Sequence, residues 1–504
     1  MPMMRAELTN RPFLSVLKDV AKILRDDPLL FLGFGMFWIW VWYVFQSPAI
    51  GALNEDSFPF GILPWVLPLS SYAAGFFVLG AIFYFKRIIP KSRVYKTSIP
   101  CLMTVGLGLC SLFPGLSLAA FSLESVMYAC GSIMMGLSSA FLHVEWGRLS
   151  GTLGPRRTII HGACGTVFAS MVIVVIANLP LLVCAAILIA FSWIGSMVVF
   201  GATEKRKGIY TQGSHAELRI SAKFIMTAFT QGCSLGVLQI IMFKSHTQVD
   251  SIMISAVGFS LGAILIAATA LVYKMDFNRL LYHVGFPLMA LGCLLVALLA
   301  PHVVAGGFVH AVGYRFVDIL IWALMAYVMK YKDMPANWVS SITTSWLILG
   351  QFVGTFGGWM AVTLFGLPQG MVVPSMVIVF VLMLCALIAT STHNLRTGWG
   401  MISPGENETE LSRFDKHCLM IAKEYLLTTR EAEVFSYIAQ GFPRKYICEK
   451  LVVADGTVKA HTRSVYQKLG IHSRQDAMKL VEAHMADFAL EEDEEQPDKP
   501  LPVI

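Results

Sequence analysis

Charge is what this sequence has least of. Only 14% of its 504 residues are Asp, Glu, Lys or Arg, while 56% are hydrophobic. An ordinary soluble domain carries about 25% charged residues. A chain of this length built on soluble cores alone is thereby excluded. The cysteines offer no disulfide framework. Cys101, Cys110, Cys130, Cys164, Cys184, Cys233, Cys293 and Cys385 fall in or beside apolar runs without CxxC spacing, and Cys418 and Cys448 lie in a polar tail. They read as small buried hydrophobes. No metal-ligand cluster, nucleophile triad or phosphate loop is legible, so neither an enzyme nor a cofactor is expected. No cleavable leader is expected either. Arg5, Arg11, Lys18, Lys22 and Arg25 precede the first apolar run, and no small-residue cleavage site follows it.

What the sequence has instead is long apolar runs. About twelve are long enough to cross ~30 Å of hydrocarbon. They cover 29–47, 60–85, 98–121, 125–144, 158–178 and 180–201, then 223–243, 251–273, 283–300, 303–329, 338–364 and 371–390. The basic residues test the count. With the N-terminus inside, the inner loops hold Lys86, Arg87, Lys91, Arg93, Lys96, Arg148, Arg156, Arg157, Lys205, Arg206, Lys207, Arg219, Lys223, Lys274, Arg279, Lys330 and Lys332. The outer loops hold Lys244 alone, and the first carries Glu55 and Asp56. This asymmetry satisfies the positive-inside rule and places both termini in the cytoplasm.

Six spans, a longer basic loop and six more spans resemble the layout of the major facilitator superfamily over residues 29–392. Phe141, His143 and Arg148 in the fourth span recur as Phe308, His310 and Arg315 in the tenth, at the same spacing. The Gly- and Asp-rich signature of that superfamily after the second span is not intact; the loop reads FKRIIPKSR.

The remainder divides into a cytoplasmic N-terminal segment (1–28), a linker (393–425), a charged helical module (426–485) and an acidic tail (486–504) expected to be disordered. The module opens on Thr428-Thr429-Arg430-Glu431, a capping box. Val434, Phe435 and Ile438 supply one helical face, Gly441 ends that helix, and Pro443 suits the start of a second carrying Ile447 and Leu451. Asp455-Gly456 is expected to turn the chain into a third helix from about Thr457 to Leu469, with Val458, Val465 and Leu469 inward. Ser473 can cap a fourth carrying Ala477, Leu480 and Val481.

LTTREAEVFSYIAQG followed by DGTVKAHTRSVYQKLGIHSRQDA resembles the LuxR-type helix-turn-helix family over about sixty residues. Two positions depart from it. Ala454 stands where a Ser or Thr cap is usual, leaving that cap weaker or passing it to Asp455, and Pro443 replaces the cap of the preceding helix. The resemblance implies that the third helix enters the major groove of double-stranded DNA. Lys459, Ala460 and Arg463 would then face base edges, Thr457, His461 and Lys468 would meet phosphate, and Arg444, Lys445 and Arg474 would make outer contacts. It also implies a homodimer through the last helix, about 473–482.

Ionisable groups at membrane depth are functional candidates by default. Glu145 and Arg148 can pair on one helix face, close to His143. Arg315 and Asp318 lie mid-span, with His310 before them, and either neutralise each other or face a small-molecule ligand. Trp146, Tyr314, Trp322 and Trp346 could line such a cavity. The expected fold is all-α: a polytopic bundle of about twelve spans with a C-terminal four-helix LuxR-type domain, in a prokaryotic inner membrane. Expected partners are DNA, membrane lipid and an unidentified small molecule. Two other readings remain, a major-facilitator-type transporter with a regulatory tail, and a helix-turn-helix that docks a protein.

Overall fold

The computed structural model describes residues 13–46, 63–85, 93–111, 123–206, 220–299, 303–331, 334–367, 369–390, 403–404, 414, 417–418, 420–451 and 453–494. The predicted loop residues Lys86, Arg87, Lys91, Lys207, Arg219, Lys332, Glu55 and Asp56 lie outside them, as do Arg5, Arg11 and the linker stretch 391–402. Every regular element among the described residues is a helix. The chain forms two compact units, Met1–Ala389 with Ser403–Gly405, and Thr390–Ile402 with Glu406–Ile504.

The first unit begins with α1 (Phe13–Asp26) and α2 (Pro28–Val41), the latter extended by a π-helical turn over Trp42–Gln46. Then come α3 (Leu63–Phe85), α4 (Arg93–Ser111), α5 (Leu123–Leu153), α6 (Pro155–Ile176) and α7 (Leu181–Glu204). The second half holds α8 (Ala222–Ser245), α9 (Gln248–Ala267), α10 (Phe286–Leu298, continuous with a π-helical stretch over Arg279–Gly285), α11 (Val303–Tyr331), α12 (Ala336–Phe365) and α13 (Gln369–Ala389). Eleven helices among the described residues are long and apolar enough to cross a membrane. The third predicted span appears as α4, which packs along α5 and α7; its predicted continuation, 112–121, is outside the described residues. Helix α5 runs on to Leu153, beyond the predicted 144, because Glu145 and Arg148 neutralise each other at 3.2 Å and stay buried.

Residues 13–26 were expected only as a polar cytoplasmic segment. They form an amphipathic helix whose Val16 packs with Ile160 of α6 and with Leu271 in the π-helical turn Ala268–Val272 that follows α9, while Asp19 meets Arg156 at 3.1 Å. Helix α1 thus touches both halves.

The pairings repeat between halves. Helix α2 packs on α6 as α8 packs on α12, and α3 on α5 as α9 on α11. Across the halves, α3 meets α12 and α6 meets α9, contacts that interchange when the halves are exchanged. The α8–α12 seam is closest. A Cβ at Gly236 would fall on the Gln351 carbonyl oxygen, and one at Gly350 on that of Phe229. Small residues let helix backbones approach where lipid supplies no hydrophobic drive for association.

The second unit holds α14 (Thr429–Ala439), α15 (Arg444–Leu451), α16 (Asp455–Leu469) and α17 (Arg474–Glu494). Its core joins Val434, Phe435, Ile438, Ile447, Val458, Val465, Leu469, Ala477 and Val481. Three expectations are corrected. Part of the predicted linker is not linker: Cys418, Ile421 and Ala422 are buried, and Cys418 and Ile421 join this core. Their spacing of three and four residues is that of one helical face. His417 Nδ1 also lies 2.9 Å from His484 Nδ1 on α17, one donating and one accepting. Asp455-Gly456 is not a turn but the first turn of α16, where an acidic residue suits the positive end of the helix. The acidic tail is helical to Glu494 rather than disordered from 486, since Ala, Leu and Glu are strong helix formers.

The seam gives a test. Gly350→Val should destabilise the bundle by about 1–3 kcal/mol or more, as overpacking does. Gly357→Val, at a position with nothing within 4 Å of an added Cβ, should leave the thermal unfolding midpoint in detergent nearly unchanged. Equal midpoints for both variants would show the seam to be loose.

Candidate functional site

The recognition-helix candidate is held by the helix before it. Thr428 Oγ1 accepts from the Glu431 amide at 3.3 Å, and Glu431 Oε2 accepts from the Thr428 amide at 2.8 Å, closing the expected capping box. The Glu431 carboxylate also accepts from Lys468 Nζ at 2.6 Å and Ser464 Oγ at 2.5 Å, both on α16. The Lys468 ammonium, then the Ser464 hydroxyl and the Thr428 amide, bring its pKa down to about 2. A cap on α14 therefore also fixes α16.

On α16, Val458, Val465 and Leu469 face the core. Thr457, Lys459, Ala460 and Arg463 are exposed and His461 is half-buried. Lys459 and Arg463 are one turn apart and border a groove with Arg444, Thr462, Tyr466 and Gln467. Thr462, Tyr466 and Gln467 were not singled out from sequence; their signal is the i+3, i+7 and i+8 spacing from Lys459. The cap at Ala454 has no side-chain bond, and Asp455 does not replace it; its carboxylate instead takes Arg444 Nε at 2.8 Å. Lys468 is engaged with Glu431, and Arg474 donates to the Gly441 carbonyl at 3.0 Å. Gly441 itself sits at φ +82°, where glycine is favoured. Lys445 is exposed on α15. The nine expected DNA-facing positions thus separate into six without such a tie and three, Arg444, Lys468 and Arg474, joined to their own domain.

The six membrane candidates are all buried but do not form one cluster. Towards the end where α5 stops, Arg148 bonds Glu145 and, across the halves, Asn337 of α12, and Tyr95 donates to Glu145 at 3.0 Å. In the middle, Arg315 NH1 pairs with Asp318 at 2.5 Å and Nε donates to Thr166 of α6 at 2.8 Å. Its guanidinium lies 4.2 Å from the Trp38 ring centroid and 5.1 Å from that of Trp42. His143 takes a 2.7 Å bond with Tyr72 and packs 4.7 Å from Trp322. His310 stands apart, bonded to Ser234 at 2.6 Å and bordering a cavity. That cavity is walled by Trp42, Gln46 and Ile173 from the first half and by Leu238, Met242, Ser255, Phe259 and His310 from the second. Of the aromatic candidates, Trp146 and Trp322 pack on Phe34 and Tyr314 on Phe259, and Trp346 meets Phe229.

The Glu431 pair sets an acid limit. A carboxylate with a folded pKa near 2 and an unfolded value of about 4.3 stabilises fully above the unfolded value. That stability is lost as pH falls from the unfolded value towards 2. Glu431→Gln should cost about 1 kcal/mol at neutral pH, in the range of a lost cap, and should flatten the acid slope. Amide exchange of 428–470 in the full chain checks this; an unchanged slope in the variant would remove Glu431 from the account.

Residues 425–481 match the family of bacterial regulatory proteins, luxR family. Among solved structures, the chain is similar to a bacterial homologue of the iron transporter ferroportin in an outward-facing state with soaked iron. The two are 12% identical with a TM-score of 0.52, covering 72% of this chain and 99% of that one. A second structure of a bacterial ferroportin homologue, also outward-facing, gives 13%, 0.52, 73% and 97%. A major facilitator superfamily transporter, FucP, in the outward conformation, gives 13%, 0.46, 75% and 100%, a score too low to carry an argument. At these identities the likeness is one of fold. The chain therefore carries a LuxR-type DNA-binding domain at residues 425–481, together with a multi-span membrane unit that has a transporter fold of the kind its six-plus-six layout led one to expect.

Proposed function

We propose that this protein is a membrane-embedded transcription regulator, its bundle sensing a small molecule and its C-terminal domain binding promoter DNA. The observation that carries the reading is the division of α16. One face is core, and the other presents Lys459, Ala460 and Arg463 to solvent at the spacing of a base-reading surface. Lys459 and Arg463 suit guanine O6 and N7, and Ala460 a thymine methyl. Thr457, His461 and Lys445 serve phosphates, with Arg444 and Arg474 outside them. A phosphate contact from Lys468 would have to displace its bond to Glu431, so its role is chiefly to hold α16. Two copies joined through α17 would read paired half-sites.

The orientation follows from charge. Arg156, Arg206 and Lys223 lie at the end of the bundle that carries Asp27 and Ala389, and Lys244 lies at the other. The basic end faces the cytoplasm of a prokaryotic inner membrane, as DNA binding requires. A transporter with a regulatory tail is the second reading, favoured by the fold alone. Against it stands the broken signature in the loop after α3.

Selection from a random duplex library by the full chain should enrich one operator. Lys459→Ala with Arg463→Ala should abolish that enrichment and leave membrane insertion intact; retained enrichment by the double variant would refute the assignment. In intact cells, a membrane-impermeant maleimide should label Lys244→Cys and leave Arg430→Cys unlabelled until lysis. Labelling of position 430 before lysis would reverse the topology.

A further inference from the structure

We propose that helix α1 is a docking surface for anionic phospholipid headgroups at the basic end of the bundle. The proposal rests on neither the ligand-sensing nor the DNA-binding reading.

Helix α1 carries more apolar surface than the bundle covers. At about 100° per residue its side chains sort into sectors around the axis. Val16, Val20 and Ile23 lie within about 60° of one another. They face the protein, packing with Ile160 of α6 and with Leu271 and Val272 of the π-helical turn after α9. Leu17 and Ala21 follow at about 100° and 140° from Val16. Both are exposed, Leu17 by 47%. Arg25, Lys18 and Lys22 come next, at about 180–240°, and all three are exposed. The acids lie beyond them, at about 280–300°. Asp19 is paired with Arg156 of α6, and Asp26 is exposed.

The uncovered apolar strip is therefore bordered by protein on one side and by cations on the other, with the acids turned away from it. That order suits a helix lying in the plane of a membrane surface. The strip enters the acyl boundary while the long basic side chains reach the phosphates. Among the described residues none of the three cations has an acidic partner, so each is open to an outside anion.

The chain keeps α1 at that depth. Asp27 alone separates it from Pro28, where α2 begins, and Asp27 pairs with Arg206 at the end of α7 at 3.3 Å. Leu29, in the first turn of that span, is 62% exposed. Lipid thus begins where α1 ends. A net-negative headgroup is favoured over a zwitterionic one, because each basic residue held near an anionic surface is worth about fivefold in binding. The opposite face of α1 touches both halves, so lipid that holds α1 also strengthens its clasp on them.

The test uses the full chain in nanodiscs in which phosphatidylglycerol replaces phosphatidylcholine stepwise. Hydrogen exchange of residues 13–26 should slow saturably as phosphatidylglycerol rises, and the thermal midpoint should climb with it. Salt at about 0.5 M should weaken both effects by screening. Lys22→Gln should weaken the response about fivefold. Lys18→Gln, Lys22→Gln and Arg25→Gln together should abolish it, and Leu17→Ser should weaken it several-fold by removing the apolar contact. These side chains are exposed, so the bundle still folds. Lys205→Gln, an exposed cation at the end of α7, should leave the response unchanged. Exchange equally slow in pure phosphatidylcholine, slowing there by inorganic phosphate alone, a triple variant that responds like the parent, or an equal loss with Lys205→Gln would overturn the proposal.

Discussion

A guanidinium buried at the middle of a membrane bundle governs the arrangement of both halves. Moving such a charge out of water costs several kcal/mol even after relaxation. Arg315 is tolerated because Asp318 neutralises it one turn away, Thr166 accepts from it across the half interface, and Trp38 and Trp42 lay ring faces against it. Three of these four partners belong to the first half. Separating the halves would strip the guanidinium of everything except Asp318, so the ion pair sets a closed relation between α2, α6 and α11 in this structure. Replacing such a pair by apolar groups is often neutral in stability, whereas losing one member is not.

The other inter-half bonds are arranged around this one by depth. Arg148 reaches Asn337 nearer the basic end, and His143 reaches Thr344 at 3.3 Å. Near the opposite end, Gln239 donates to the Gln46 carbonyl at 2.8 Å, beside the cavity.

The all-helical class, the two-part layout, the charge asymmetry and the family of the C-terminal domain were legible in the sequence, because hydropathy and motif spacing are local properties. So were the i,i+3 pairs Glu145–Arg148 and Arg315–Asp318. What joined those pairs to distant helices was not: nothing in the sequence links Arg315 to Thr166 or Arg148 to Asn337. Helix α1 escaped notice because Val16, Val20, Ile23 and Leu24 sit among lysines in a stretch too short to read as a span. The turn 420–424 was lost within a polar neighbourhood, although Cys418, Ile421 and Ala422 share a face. On α16 the exposed face was foreseen, but the engagement of Lys468 by Glu431 was hidden, because it depends on packing of α14 against α16.

Helix α8 runs the length of the bundle and ties its two ends. At one end its Leu238 and Met242 wall the cavity; at the other, Lys223 Nζ donates to the carbonyl of Ala389, the last residue of α13, at 3.5 Å. A cation at a helix C-terminus complements its exposed carbonyls. Between those ends α8 is pressed against α12 so closely that Gly236 and Gly350 admit no side chain. A helix so tightly seamed does not bend easily along its length, and closely packed interiors transmit displacement rather than absorb it. Helix α8 is therefore one stiff element from Met242 to Lys223, and the seam glycines are what allow that close packing.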